Sequence, residues 1–209
     1  MIKLLVVDQH PIISKGLELI FNTTQEIKFI GSVADGETLF NFISKNRVDF
    51  ILIEIDLPKL NGITAVRRLK QEYPEIKVIV FTAQPEDVYA VSAIKAGAHG
   101  YVQKTTDIIT LKNAITSVYN DGKVYLSDGL NKRLSMNSKG IKNGTYHKKL
   151  STREVEVLKL LASGRRNKEI AEELNINEKT VSTYRARLMK KLNVTNLVDL
   201  VNQAHSLRL

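Results

Sequence analysis

Five residues of the first half, Asp8, Glu54, Asp56, Thr82 and Lys104, stand at or just beyond the ends of short apolar runs, with Gln9 directly after Asp8. Carboxylates supply the oxygen ligands that a hard divalent cation takes. A hydroxyl and an ammonium can instead grip an anion such as phosphate. Gathered at one edge, these groups could bind a metal ion and a phosphoryl group together; solvated strand ends are the plainer alternative. A second constellation lies near the far end of the chain. Ser182 and Thr183 are short hydroxyl residues suited to hydrogen-bonding base edges, with Ala186 or Arg187 as a further contact. Lys179, Thr180, Tyr184, Arg185, Lys190 and Lys191 suit phosphate contacts, which position a protein on a duplex without reading it.

The elements that must position the first group are legible as alternating runs. Residues 3–7, 29–33, 50–54, 78–82 and 100–102 are rich in Val, Ile, Leu and Phe and read as strands buried on both faces. Between and after them, residues 12–21, 38–44, 63–72, 88–96 and 108–119 carry apolar residues at helical spacing, and Gly97 stands where a left-handed C-cap belongs. Five such strand–helix units imply an α/β fold with a doubly wound, five-stranded parallel sheet, because parallel neighbours need crossover helices. Sheets of this kind present their functional groups at the carboxyl ends of the strands.

Those ends carry motifs that resemble the flavodoxin-like receiver domain of two-component response regulators, over roughly residues 1–120. The motifs are Val6-Val7-Asp8-Gln9-His10-Pro11, Ile53-Glu54-Ile55-Asp56-Leu57-Pro58 with Asn61-Gly62, Phe81-Thr82-Ala83, and Ala96 through Lys104. The resemblance implies a phosphoacceptor at the Glu54 position and a histidine kinase as phosphodonor. It implies Mg²⁺ held near Asp8, Glu54 and Asp56, phosphate sensing by Thr82 and Lys104, and an aromatic switch at Tyr101. Two residues depart from the family pattern. Glu54 replaces the usual aspartate and carries its carboxylate about 1.5 Å farther out, a damaging shift for a reaction that depends on positioning. Gln9 is neutral, which weakens the expected metal pocket. Three readings stay open: a poorly phosphorylated receiver, a Glu54 that partly mimics phosphate, or an introduced replacement of aspartate, against which Gln9 argues.

Residues 121–149 are rich in Gly, Asn, Ser and Lys and read as a linker, with an extended piece at 124–126 and a short helix at 128–136. At Ser151 a capping box with Glu154 opens an all-α segment, 150–209, of four helices. Its apolar residues are Val155, Leu158, Leu161 and Ala162, then Ile170, Ala171 and Leu174, then Val181, Leu188 and Leu192, and last Leu197, Leu200 and Val201. Two short helices, a turn at 175–177 and a longer basic helix at 178–192 make a helix-turn-helix, whose second helix enters the major groove by its N-terminal part. This segment resembles the LuxR-type (NarL-type) DNA-binding domain through Leu150-Ser151-Thr152-Arg153-Glu154, Asn167 to Ala171, Lys179 to Tyr184 and Met189 to Leu192. The resemblance implies double-stranded DNA as partner and a homodimer pairing through Leu197, Leu200, Val201 and Ala204.

Charge agrees with that partner. Residues 1–120 carry 13 basic and 13 acidic side chains, whereas 148–209 carry 13 against 7, within a chain of net charge +9. A basic module appended to a neutral one suits a polyanion. Without cysteines the chain can form neither disulfides nor thiolate metal sites. No apolar run is long enough to span a bilayer, and the N-terminus lacks a signal-peptide pattern, so a cytoplasmic protein without a membrane partner is expected. The function expected is that of a DNA-binding regulator of transcription. Two others compete with it: a receiver read by a partner protein or small ligand instead of phosphate, and a Mg²⁺-dependent phosphohydrolase. His10 and His99 read as structural or surface residues, and His147 and His205 carry no signal.

Overall fold

The computed structural model describes residues 1–131 and 150–206, in two compact units, Met1–Gly140 and Ile141–Leu209. In the first, β1 (Ile2–Val7), β2 (Ile27–Val33), β3 (Phe50–Ile53), β4 (Lys77–Thr82) and β5 (Gly100–Gln103) form one parallel sheet of order β2-β1-β3-β4-β5. The helices between and after them are α1 (Pro11–Phe21), α2 (Gly36–Ile43), α3 (Gly62–Glu72), α4 (Glu86–Ala96) and α5 (Ile108–Asp121). Alternation along each strand divides the core. Leu4, Val6, Phe50, Leu52, Ile79 and Phe81 pack with Leu17 and Phe21 of α1 and with Leu111, Ile115 and Val118 of α5. The intervening Leu5, Val7, Ile51 and Ile53 are equally buried, so both faces of the sheet are covered, as crossover helices require. The strand order reverses between β1 and β3, and their carboxyl ends deliver Asp8 and Glu54 side by side.

Two glycines are demanded by geometry. Gly97 caps α4 with φ 116°, the left-handed conformation expected of it. Gly62 opens α3 against the chain after β3, where a Cβ would lie 2.0 Å from the Glu54 carbonyl oxygen. The Asn61-Gly62 pair therefore holds the Glu54 backbone close under the N-terminus of α3.

The beginning of the linker lies against the sheet. Tyr125 bridges to Gly100; its N–H donates to the His99 carbonyl at 2.9 Å, and its own carbonyl accepts from Tyr101 N–H at 3.0 Å. Ser127 donates through its backbone N–H (3.1 Å) and hydroxyl (2.5 Å) to the Glu86 carboxylate. Residues 128–131 are helical, and the remainder of the helix expected at 128–136 lies outside the described residues. The extended piece expected at 124–126 is present, and what its residues alone do not reveal is the neighbouring strand that offers it hydrogen bonds.

The second unit contains α6 (Thr152–Ala162), α7 (Asn167–Glu173), α8 (Glu178–Leu192) and α9 (Leu197–Ser206). Helix α6 starts with the expected capping box. Ser151 accepts from Glu154 N–H, and Glu154 reaches back to Ser151 N–H at 2.6 Å. Val155, Val157, Leu158, Ile170, Val181, Leu188, Leu192, Leu200 and Ala204 close the core. Asn175 takes φ 50° in the turn before α8, and Asn177 caps that helix by accepting from Thr180 N–H at 2.8 Å.

Glu154 is also buried beneath α8, where Lys191 Nζ donates to its Oε2 at 2.7 Å. Burial works against its charge, but the Lys191 ammonium and the Ser151 donors outweigh it and hold the carboxyl below its ordinary value of 4.5. Its stabilising contribution is therefore complete above about pH 4.5 and disappears as pH falls through the lower folded-state value. Glu154→Gln should lower the stability of this unit at pH 7 by about 1–2 kcal/mol, since Lys191 is partly exposed. In thermal melts followed by circular dichroism, the gap between variant and wild type should narrow on acidification below 4.5.

Candidate switch site and nucleic-acid interface

At the carboxyl edge of the sheet, a carboxylate, a hydroxyl and an ammonium meet in a desolvated cluster. Glu54 and Asp8 are each only 4% exposed, and Thr82 is fully buried. Lys104 Nζ lies 2.6 Å from Glu54 Oε2 and 2.6 Å from Asp8 Oδ2, so one ammonium bridges both acids. The second Glu54 oxygen accepts from the Thr82 hydroxyl and, at 2.6 Å, from the N–H of Ile55. Burial alone would push the Lys104 pKa down, but the hydrogen bonds it donates to the Asp8 and Glu54 carboxylates outweigh it and raise it, so the cation persists. Buried charges survive only when paired in this manner.

A chain of contacts leads away from Glu54. Thr82 Oγ1 accepts from Gln84 N–H at 3.2 Å, and the Gln84 carbonyl accepts from the Tyr101 hydroxyl at 2.9 Å. Tyr101 is 1% exposed, with its ring inside the unit, and burial raises its hydroxyl pKa well above the usual value. Gln84 also holds Asp56 through its side-chain amide. Sequence reasoning passed over Gln84, because a glutamine beyond a strand end carries no signature of its own. His10 reads from the sequence only as a structural or surface residue. His10 closes on Asp8 Oδ1 through both its N–H and its ring Nδ1, each at 2.8 Å.

These partners also occupy the groups expected to hold a metal ion. Asp56 is exposed and turned to Gln84, both Glu54 oxygens are engaged, and an ammonium stands between Asp8 and Glu54. Gln9 offers a neutral amide oxygen that is buried without a hydrogen-bond partner among the described residues. No trio of His, Cys, Asp or Glu side chains among the described residues is placed to hold a metal ion. Asp8, Glu54 and Asp56, expected to share Mg²⁺, are thus not assembled into the near-octahedral oxygen cage that this ion demands.

In the second unit, α8 presents Lys179, Ser182, Thr183, Ala186, Arg187 and Lys190 to solvent, while Thr180, Tyr184 and Arg185 are half-buried. Ser182 Oγ accepts from Asn167 Nδ2 at 3.1 Å, which leaves its proton free to donate. Thr183 donates its hydroxyl to the Lys179 carbonyl at 2.9 Å and so offers only acceptor capacity outward. Lys191, expected on a phosphate, is committed to Glu154 by the ion pair already described. Of the residues expected to pair two copies, Leu200 and Ala204 are fully buried inside the unit and cannot reach a partner. A helix packed on α6 and α8 must spend its most inward positions there. Leu197 at 41% exposure and Val198 at 69% remain open, with Val201 half-buried.

Comparison with known families and proteins finds two matches in order along the chain. Residues 4–116 match the response regulator receiver domain, and residues 148–204 match the bacterial regulatory proteins of the luxR family. The chain is 32% identical to the Fimbriae Z protein of Salmonella typhimurium over 202 residues, 97% of this chain and 95% of that one. It is 30% identical to the response regulator UvrY of Escherichia coli over 205 residues, covering 98% and 94% respectively. Among solved structures, RcsB from Salmonella enterica serovar Typhimurium, bound to promoter rprA in the presence of phosphomimetic BeF3-, shares 25% identity with a TM-score of 0.74 over 96% of each chain. A structure of two RcsB dimers bound to two parallel DNAs gives a TM-score of 0.61 at 25% identity, over 98% of each chain. No described helix is long and apolar enough to cross a membrane.

Proposed function

Since this chain belongs to the two-component response regulators, DNA-binding controllers of transcription with a receiver and a LuxR-type domain, we propose that Glu54 itself holds its receiver toward the signalling arrangement without phosphate. The observation that carries this reading is the placement of the Glu54 carboxylate between Thr82 and Lys104, the two groups that sense the phosphoryl group in this family. Inward burial of Tyr101, linked to Thr82 through Gln84, supports it. Receiver domains usually bind Mg²⁺, but here the Lys104 ammonium neutralises the acids that would surround that ion. The family is one of transcription factors rather than enzymes, which removes the phosphohydrolase reading.

The output is sequence-specific binding of promoter DNA by α8. Ser182 as donor and Thr183 as acceptor read base edges, with Ala186 or Arg187 beside them. Lys179, Thr180, Tyr184, Arg185 and Lys190 take phosphates. RcsB binds promoter DNA, as dimers, and a homodimer of this chain would pair through Leu197, Val198 and Val201, the α9 side chains not consumed by its own core.

Incubation with acetyl phosphate and Mg²⁺, followed by intact-mass measurement and light scattering, tests the input. Neither a gain of one phosphoryl group nor a change in oligomeric mass is expected. A phosphorylated Glu54 peptide would overturn the reading.

A further inference from the structure

Helices α6 and α7 share the glutamate of a capping box at their third position but differ at the N-cap, and that difference has a physical consequence. At α6, Ser151 and Glu154 exchange hydrogen bonds in a complete capping box. At α7 the corresponding glutamate, Glu169, also reaches back, accepting from Arg166 N–H at 2.7 Å. The reciprocal bond is chemically impossible there, because a guanidinium has donors and no acceptor. Arg166 also puts a positive charge at the positive end of the helix dipole, where cations are disfavoured. A serine would serve α7 better on both counts.

Local rules broken in this way are retained where function compensates. Arg166 lies in the run Gly164-Arg165-Arg166-Asn167-Lys168, in which Arg165, Arg166 and Lys168 are exposed. None of these three cations has a carboxylate partner among the described residues. The run is fixed to the reading helix, since Asn167 Nδ2 donates to Ser182 Oγ at 3.1 Å. Ser182 lies on the second turn of α8, the part of a reading helix that meets the groove. A phosphate rail beside that groove would pass this corner.

We infer that Arg165 and Arg166 form a phosphate clamp at the α6–α7 corner, and that Arg166 occupies the N-cap of α7 for DNA affinity at the expense of helix stability. The inference rests on the DNA interface placed on α8. Counterion release sets its size: each phosphate contact contributes about 0.9 to the slope of log affinity against log salt, or about fivefold in affinity at 0.15 M salt.

Arg166→Ser is the discriminating variant because its two effects have opposite signs. In the full chain without DNA, it should raise the melting midpoint of the LuxR-type domain by completing the α7 box. By fluorescence anisotropy with a random-sequence duplex, it should bind about fivefold more weakly and lose about 0.9 from the salt slope. Adding Arg165→Ala should roughly double that slope loss, and Arg166→Lys should keep the wild-type slope. A variant with a raised midpoint but wild-type affinity and slope would overturn the clamp. A wild-type chain that binds no duplex at any salt would instead overturn the DNA interface on α8 itself.

Discussion

Glu54→Gln is expected to weaken promoter binding and dimer formation by roughly ten- to a hundredfold while leaving the chain folded. The substitution keeps the side-chain length and removes the charge that faces Lys104 at 2.6 Å. It also weakens the oxygen that accepts from Thr82. A hydrogen bond to a charged group is worth about 1.5–3 kcal/mol, and that difference falls on the equilibrium between switch arrangements. Lys104 retains Asp8 as a partner, so the cluster does not collapse. Gel-shift titration and sedimentation equilibrium read the two effects. Unchanged promoter affinity in the glutamine variant would show that Glu54 is a spacer and not a stand-in for phosphate. The converse construction is Gln9→Asp with Glu54→Asp. It shortens the acceptor and restores the acidic pair, and it should gain one phosphoryl group from acetyl phosphate where the wild type gains none.

The second large effect belongs to α8. Reversing Arg187 and Lys190 together to glutamate should reduce promoter affinity by at least about a hundredfold at 0.15 M salt. Losing the Lys190 phosphate contact removes about fivefold by counterion release, losing Arg187 removes a base-edge contact worth about 1–3 kcal/mol, and two new negative charges add repulsion along the groove. Both residues are exposed and make no ion pair among the described residues, so the domain should keep its helical content and melting midpoint. Anisotropy over a salt series, with circular dichroism as the control for folding, measures this. Full promoter occupancy by a folded double variant would show that α8 does not lie on DNA.

Much of this molecule was readable before any fold was in view, for a definite reason. Hydrophobic periodicity is local, so Leu111, Ile115 and Val118 announced a helix and its inner face without reference to what would cover it. Capping is local too, and the Ser151–Glu154 box and the Gly97 cap appear where three-residue arithmetic put them. The order of motifs from Asp8 to Lys104 brought the right residues to one sheet edge, because parallel strands share their carboxyl ends. Boundaries drifted by a residue or two, as at β1, which starts at Ile2 instead of Lys3.

Side-chain partnership was not local, and there only the tertiary structure could decide. Lys191 looks like any other cation on a basic helix, yet Glu154, 37 residues earlier, takes it as an ion-pair partner. Leu200 and Ala204 look like a seam until α6 covers them and leaves Leu197 and Val198 outside. At the sheet edge, the order of motifs put Glu54 and Gln9 where the resemblance leads one to expect an aspartate and a second acidic residue. Whether the longer carboxylate would reach Thr82, and whether Lys104 or a metal ion would neutralise it, depended on strands brought together by folding. The identity of the groups was a property of the chain, and their neighbours a property of the packed sheet.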